Sequence, residues 1–196
     1  MASTARFARR RSRLTTSLLA GLTLGTAGLA PLQADEEAVP VRETESAASA
    51  GDSVDDPAIW VDPGDPSRSV VVGANHLEKV LEVYDLSGRR LQRVAADGTN
   101  NVDVRLDFPL GGRTVALFGT GGGGDTSGRI SFWALDPGTR QITNVTGGGV
   151  IRTGAAYGFC MYRSPSGGFY AFPVGAEGLV EQWELYDDGG SVNGRL

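Results

Sequence analysis

The chain has 196 residues, among them 18 Lys and Arg, 23 Asp and Glu, 29 Gly, one Cys and one His. A single cysteine with a single histidine excludes an intramolecular disulfide framework and any His/Cys zinc cluster. All the acids lie from Asp35 onward, where 13 basic side chains face 23 acidic ones for a net charge of −10, and a surface of that sign argues against nucleic acid as the natural partner.

Arg6, Arg9, Arg10, Arg11 and Arg13 form a basic start, and residues 14–30 are apolar, small and uncharged. Residues 1–34 read as a secretory signal cleaved near Ala34, with Leu32 bulky for the usual small-residue site. The run is too rich in Gly and Thr for a bilayer span. The mature protein is therefore expected to be secreted, extracellular and off the membrane. Residues 35–53 are acidic and rich in Ala and Ser, with no apolar periodicity, and read as an exposed flexible arm. The globular part is expected over 54–196.

Apolar runs then follow in a fixed order. Residues 58–61, 70–72, 80–86 and 91–94 come first, and 102–104, 115–118, 130–135 and 142–145 second. The third set is 159–162, 169–172 and 179–185, with 191–196 at or inside a fourth strand. Tyr84, Trp133 and Trp183 sit within their runs 49 and 50 residues apart, each with a leucine two positions later (Leu86, Leu135, Leu185) and then a turn rich in Asp and Gly. No run shows a sustained helical period. Four short strands per unit of about 50 residues match a propeller blade, whereas a β-sandwich needs no such period. The fold is expected to be all-β, a β-propeller with about three blades of four strands, at about 55–98, 99–148 and 155–196. Three blades leave apolar faces and strand edges open, so the chain is expected to be the N-terminal portion of a longer propeller.

Each unit opens on polar residues: Asp55-Asp56-Pro57, Asn100-Asn101-Val102-Asp103 and Tyr157-Gly158. The inner strands of a propeller converge on its channel. Paired carboxylates, amides and carbonyls gathered there are hard oxygen ligands suited to Ca²⁺ or Mg²⁺. The alternative is that Asp55 and Asp56 only bond nearby backbone amides at the strand opening. Residues 121–124, four glycines, lack the Lys-Ser/Thr of a phosphate loop and precede a strand, so they read as a flexible hairpin loop. Cys160 is expected to be buried packing, and Trp60, Trp133 and Trp183 blade core. Asn144-Val-Thr146 fits a glycosylation acceptor.

The blocks Asp55-Asp56-Pro57-Ala58-Ile59-Trp60-Val61-Asp62-Pro63, Asn100-Asn101-Val102-Asp103-Val104-Arg105, Asp107-Phe108-Pro109-Leu110, Tyr157-Gly158-Phe159 and Glu181-Gln182-Trp183-Glu184-Leu185 resemble the β-propeller phytases in order and spacing, from about Glu43 to Leu185. That resemblance implies a secreted, calcium-dependent phosphatase of the 3-phytase type, with six blades in the family. It hydrolyses phosphomonoesters of phytate (inositol hexakisphosphate) through calcium-bound water, and the full-length protein is expected to be a monomer. Several calcium ions would offset the acidic surface for a polyanionic substrate. By matched position, Asp56 with the carbonyls of Pro57 and Val102 would hold a structural calcium, and Asp55, Tyr157 and Glu43 would belong to the catalytic calcium cluster. The resemblance also implies three basic residues that grip phosphate. They fall at His76, near Gly123 and at Ala176, so none is a Lys or Arg here; Lys79 and Arg129 are the nearby substitutes. Loss of those cations leaves a second reading open, a propeller that binds ligands without turnover.

Overall fold

The computed structural model describes residues 39–49, 51, 53–123, 128–154 and 156–196; the expected signal over 1–34 lies outside them. Strands β1 (Val54–Trp60), β2 (Val70–Asn75), β3 (Val80–Asp85) and β4 (Arg90–Ala95) form one antiparallel sheet in sequence order. A second sheet runs β5 (Asn101–Leu110), β6 (Arg113–Gly122), β7 (Gly128–Asp136) and β8 (Gln141–Asn144), with β9 (Ile151–Thr153) also paired to β7. The third runs β10 (Gly158–Arg163), β11 (Phe169–Val174), β12 (Trp183–Asp188) and β13 (Ser191–Arg195). The first strands of the three sheets lie side by side, β1 against β5 and β5 against β10. This is part of a β-propeller, as the 50-residue period predicts. Among the described residues no helix is long and apolar enough to cross a membrane.

The turns are built by aspartates. Asp85 accepts the N–H groups of Ser87 and Arg89, Asp136 that of Gly138, and Asp187 that of Gly190. Donation from the Ser87 hydroxyl and these amides holds the Asp85 carboxyl below the usual carboxylate range, and the Gly138 amide does the same for Asp136. A short acid followed by glycine therefore both ends one strand and starts the next.

Two apolar cores fill the spaces between sheets. Trp60, Val72, Leu81 and Val83 of the first sheet meet Phe118, Trp133, Leu135 and Ile142 of the second. The opposite side of the second sheet, with Phe108, Leu117, Ile130 and Phe132, meets Phe159, Met161, Phe169 and Leu185 of the third. The middle sheet is thus buried on both faces, which is why β7 is buried along nearly its whole length rather than at alternate positions. A bulge between Arg105 and Phe108 inserts an extra residue into β5, with Asp107 at φ 60°. It turns Phe108 and Leu110 toward the third sheet while Val102 faces the first.

Polar links join the same sheets. The Asp56 carboxylate accepts the backbone N–H of Val102 at 3.1 Å, and Asp103 accepts that of Met161 at 2.8 Å. Each inner strand therefore grips the next by one carboxylate. At the outer edge the Gln92 amide bonds both the N–H and the C=O of Ile142, and Val192 donates to the Val145 carbonyl.

Trp133 and Trp183 point toward the sheet that precedes their own. On β3 the equivalent residue is Tyr84, and Leu81 and Val83 take the core face, so Glu82 and Tyr84 point away from the second sheet. Glu43, Glu45, Ser49, Ser53 and Val54 line a cavity of about 580 Å³ on that side together with Tyr84, and Glu45 donates its N–H to the Gly88 carbonyl. The phenol of Tyr84 donates to buried Glu82, whose carboxylate also pairs with Arg90 at 2.8 Å.

Three expectations change. Cys160 is exposed rather than buried, because Phe159 and Met161 take the core face and strand alternation turns Cys160 outward. Gly121 and Gly122 belong to β6 instead of a loop, because Gly121 sits under Phe159: a Cβ there would lie 2.7 Å from Phe159 Cβ. The third strand of the last sheet starts at Trp183, with Val180 making only an isolated bridge to Val174.

Two stability tests follow from this packing. Gly121→Ala is expected to lower stability by about 1–3 kcal/mol through overpacking against Phe159, read as a lower urea midpoint with an unchanged slope. Asp103→Ala is expected to cost about 1.5–3 kcal/mol, the worth of a hydrogen bond to a charged group, with Asp103→Asn recovering part of it.

Candidate functional site

Where the first strands of the sheets converge, Asp55, His76, Lys79, Asp97, Asn100, Gly123, Arg129 and Tyr157 line a cavity of about 430 Å³. Five of the residues singled out from the sequence, Asp55, His76, Lys79, Arg129 and Tyr157, share this one cavity despite coming from three sheets. The remaining ones lie elsewhere. Asp56 takes the Val102 amide, Pro57 and Glu43 line the second cavity beside Tyr84, and Val102 is buried between sheets.

Local structure explains each placement. Asp55 lies in β1, and His76 begins the four-residue turn between β2 and β3. The His76 Nδ1 is 3.0 Å from Asp55 Oδ2, at ion-pair distance but without the alignment of a hydrogen bond. Lys79 closes the same turn at φ 55°, and its carbonyl accepts the Ala96 N–H. Arg129 stands opposite Gly122 in the β6–β7 ladder, next to Gly123, and makes a loose ion pair with Asp97 at 3.4 Å. Tyr157 is exposed at the rim, and its carbonyl accepts the Asn100 side-chain N–H at 2.9 Å.

Gly123 has φ 119°, a conformation that L side chains rarely adopt. A basic side chain at that position would strain the backbone, whereas Arg129 brings a guanidinium to the same wall from the facing strand. Ala176 is exposed, within a turn closed by the Gly178 N–H on the Gly175 carbonyl, and does not line the cavity. The sequence reading missed Asp97. Its signal was the Asp97-Gly98 turn immediately before Asn100-Asn101.

The donor chemistry fits a hard divalent cation. Asp55 and Asp97 bring carboxylates to the wall and Asn100 an amide, with no sulfur donor. The neighbouring Asn101 Oδ1 is buried with no hydrogen-bond partner, but Asn101 does not line this cavity. Among the described residues no three His, Cys, Asp or Glu side chains form a ligand cluster, so these donors fit part of a calcium shell of six to eight oxygens.

A sequence model of the family described as Phytase matches residues 11–196. A 3-phytase from Bacillus subtilis (strain 168) is 36% identical over 158 residues, covering 78% of this chain and 41% of the relative. The chain thus spans about two-fifths of that relative's length.

Beside the second cavity, burial and then the Glu82 hydrogen bond and charge push the Tyr84 phenol well above the ordinary tyrosine value of about 10. The folded state holds this proton while the unfolded state releases it, so the unfolded chain binds fewer protons as pH rises past 10 and stability falls there. Tyr84→Phe is expected to flatten the alkaline part of a denaturation-midpoint profile between about pH 10 and 11.

Proposed function

This chain belongs to the phytase family, and from that membership we propose that it is an exported, calcium-dependent phosphatase of the 3-phytase type acting on calcium–phytate. The observation that carries this reading is the convergence of the one lysine, Lys79, with Arg129 and His76 on the same cavity wall as Asp55 and Asp97. An otherwise acidic protein thereby offers a small region of mixed sign, with cations for phosphate oxygens and hard oxygens for metal.

The residues divide the work by chemistry. Asp55 faces His76 Nδ1, which leaves Nε2 as the nitrogen able to donate to a phosphate oxygen. Arg129 is held only loosely by Asp97 and can exchange that partner for phosphate, to which its planar fork binds in two-point fashion. Lys79 adds a point charge and has no ion pair among the described residues. Asn100 fixes the backbone of Tyr157 at the rim. Asp55, Asp97 and Asn100 would contribute ligands to calcium, with the Tyr157 segment beside them. When bound, calcium supplies the positive field that draws a polyanion to an acidic surface and stabilises charge on the transferred phosphoryl group.

Binding without turnover is the second reading, favoured by the missing side chain at Gly123 and the absence of Ala176 from the wall. Full-length protein incubated with calcium–phytate separates the two. Phosphate release that EDTA abolishes and added calcium restores supports the enzyme, whereas calcium-dependent binding with no release supports the binding module and overturns the enzymatic reading. Lys79→Met is expected to raise KM for phytate about tenfold, the loss of one charge-assisted contact.

A further inference from the structure

We propose that Asn75 and Glu82, neither of which lines the cavity, are positioning residues for the turn that presents His76 and Lys79 to it. The inference rests on the phosphate-site reading above, though its structural half stands apart from it. Both side chains are fully buried. Asn75 ends β2, and its Oδ1 accepts the Glu78 N–H at 3.0 Å, closing the turn from inside. Its Nδ2 donates to Glu82 Oε1 at 3.3 Å.

The orientation of that amide is the device. A carboxylate can only accept hydrogen bonds, so Glu82 forces Asn75 to aim its NH₂ at β3 and its oxygen at the turn. Arg90 and the Tyr84 hydroxyl donate to Oε2, and Oε1 takes the Asn75 amide as its hydrogen-bond donor, with Arg93 Nε farther off at 3.9 Å. The outer side of the turn is tied by backbone, His76 N–H to the Ser53 carbonyl and Ala96 N–H to the Lys79 carbonyl, and by the Glu78 carboxylate, which pairs with Arg93 of β4. Lys79 holds a left-handed φ of 55°, a conformation unfavourable for a lysine unless its surroundings enforce it. From inside the turn the Asn75 bond to the Glu78 N–H adds to that enforcement one residue away, beside the Arg93 pair with Glu78 and the Ala96 bond to Lys79. A buried carboxylate in the middle of an apolar strand is thereby explained: it sets an amide, the amide sets a turn, and the turn sets two phosphate-facing side chains.

Glu82→Gln tests this without deleting a side chain. Arg90 and Tyr84 would claim the oxygen of the introduced amide, leaving its NH₂ facing the NH₂ of Asn75. Asn75 then flips and loses its bond to the Glu78 N–H. Asn75→Asp in the same chain restores the pattern, because a carboxylate at position 75 accepts from both the introduced amide at position 82 and the Glu78 N–H. His76 is the only histidine of this sequence, so its imidazole resonances report the turn directly, without substrate. In this chain, E82Q is expected to shift or broaden those signals, N75D/E82Q to return them, and Glu177→Gln, at an exposed turn outside the cavity, to leave them in place. In the full-length protein, E82Q is expected to raise KM for calcium–phytate about tenfold with kcat within about twofold, and the double variant to recover it. Should E82Q fail to fold, Asn75→Ser, which removes the amide and keeps a small polar group, is measured in its place and is expected to shift the His76 signals likewise. Unchanged His76 signals in the folded single variants, or a double variant that restores neither signal nor KM, would overturn the proposal. Failure of the wild type to release phosphate would instead strike the enzymatic reading and leave the spectroscopic comparison decisive for the turn.

Discussion

One carboxylate per inner strand, bonded to the backbone amide of the next inner strand, sets how the sheets meet. Asp56 does this to Val102 and Asp103 to Met161. Each bond is worth only about 1.5–3 kcal/mol, far less than the two apolar cores, where every buried Leu- or Phe-sized side chain contributes a similar amount. The cores are non-directional, however, and let sheets slide. The directional bond pins the register of neighbouring inner strands, and the cavity residues Asp55, Asn100 and Tyr157 sit within a few positions of those bonds. Packing supplies the stability, and the carboxylate grips decide where the site residues end up.

The same economy appears in the first sheet. The face that carries tryptophan in the second and third sheets carries Tyr84 with buried Glu82 in the first, beside Glu43, Glu45, Ser49 and Ser53. A polar face needs every group satisfied, and here Arg90, Asn75 and the Tyr84 hydroxyl all converge on one carboxylate. Through Arg90 the network also reaches Glu45 of the N-terminal segment at 3.7 Å. The N-terminal segment around Glu45, the buried acid and the turn that carries His76 and Lys79 are therefore mechanically continuous.

Much of the site was legible because equivalent positions of a repeat converge when the repeat curls about an axis. Asp55 and Tyr157 could be read as neighbours from the strand openings, whereas His76 and Lys79 were named only through the resemblance to the phytases. Arg129 could be named only as a nearby cation, because its approach depends on the Gly122 pairing and on a φ at Gly123 that the sequence does not display. Glu43 was grouped with Asp55 by motif order, and lies instead on the second cavity beside Tyr84. Cys160 was misjudged because an apolar run does not say which of its alternate residues faces the core.

By itself the sequence determined the β class, the three units and their turns, since period, alternation and Asp/Gly chemistry are local properties of the chain. Which face each strand buries was left to the tertiary structure, because a one-residue bulge at 105–108 reverses the facing of every residue beyond it. So was the use of Glu82, since a buried charge acquires meaning only from the donors that other strands bring to it.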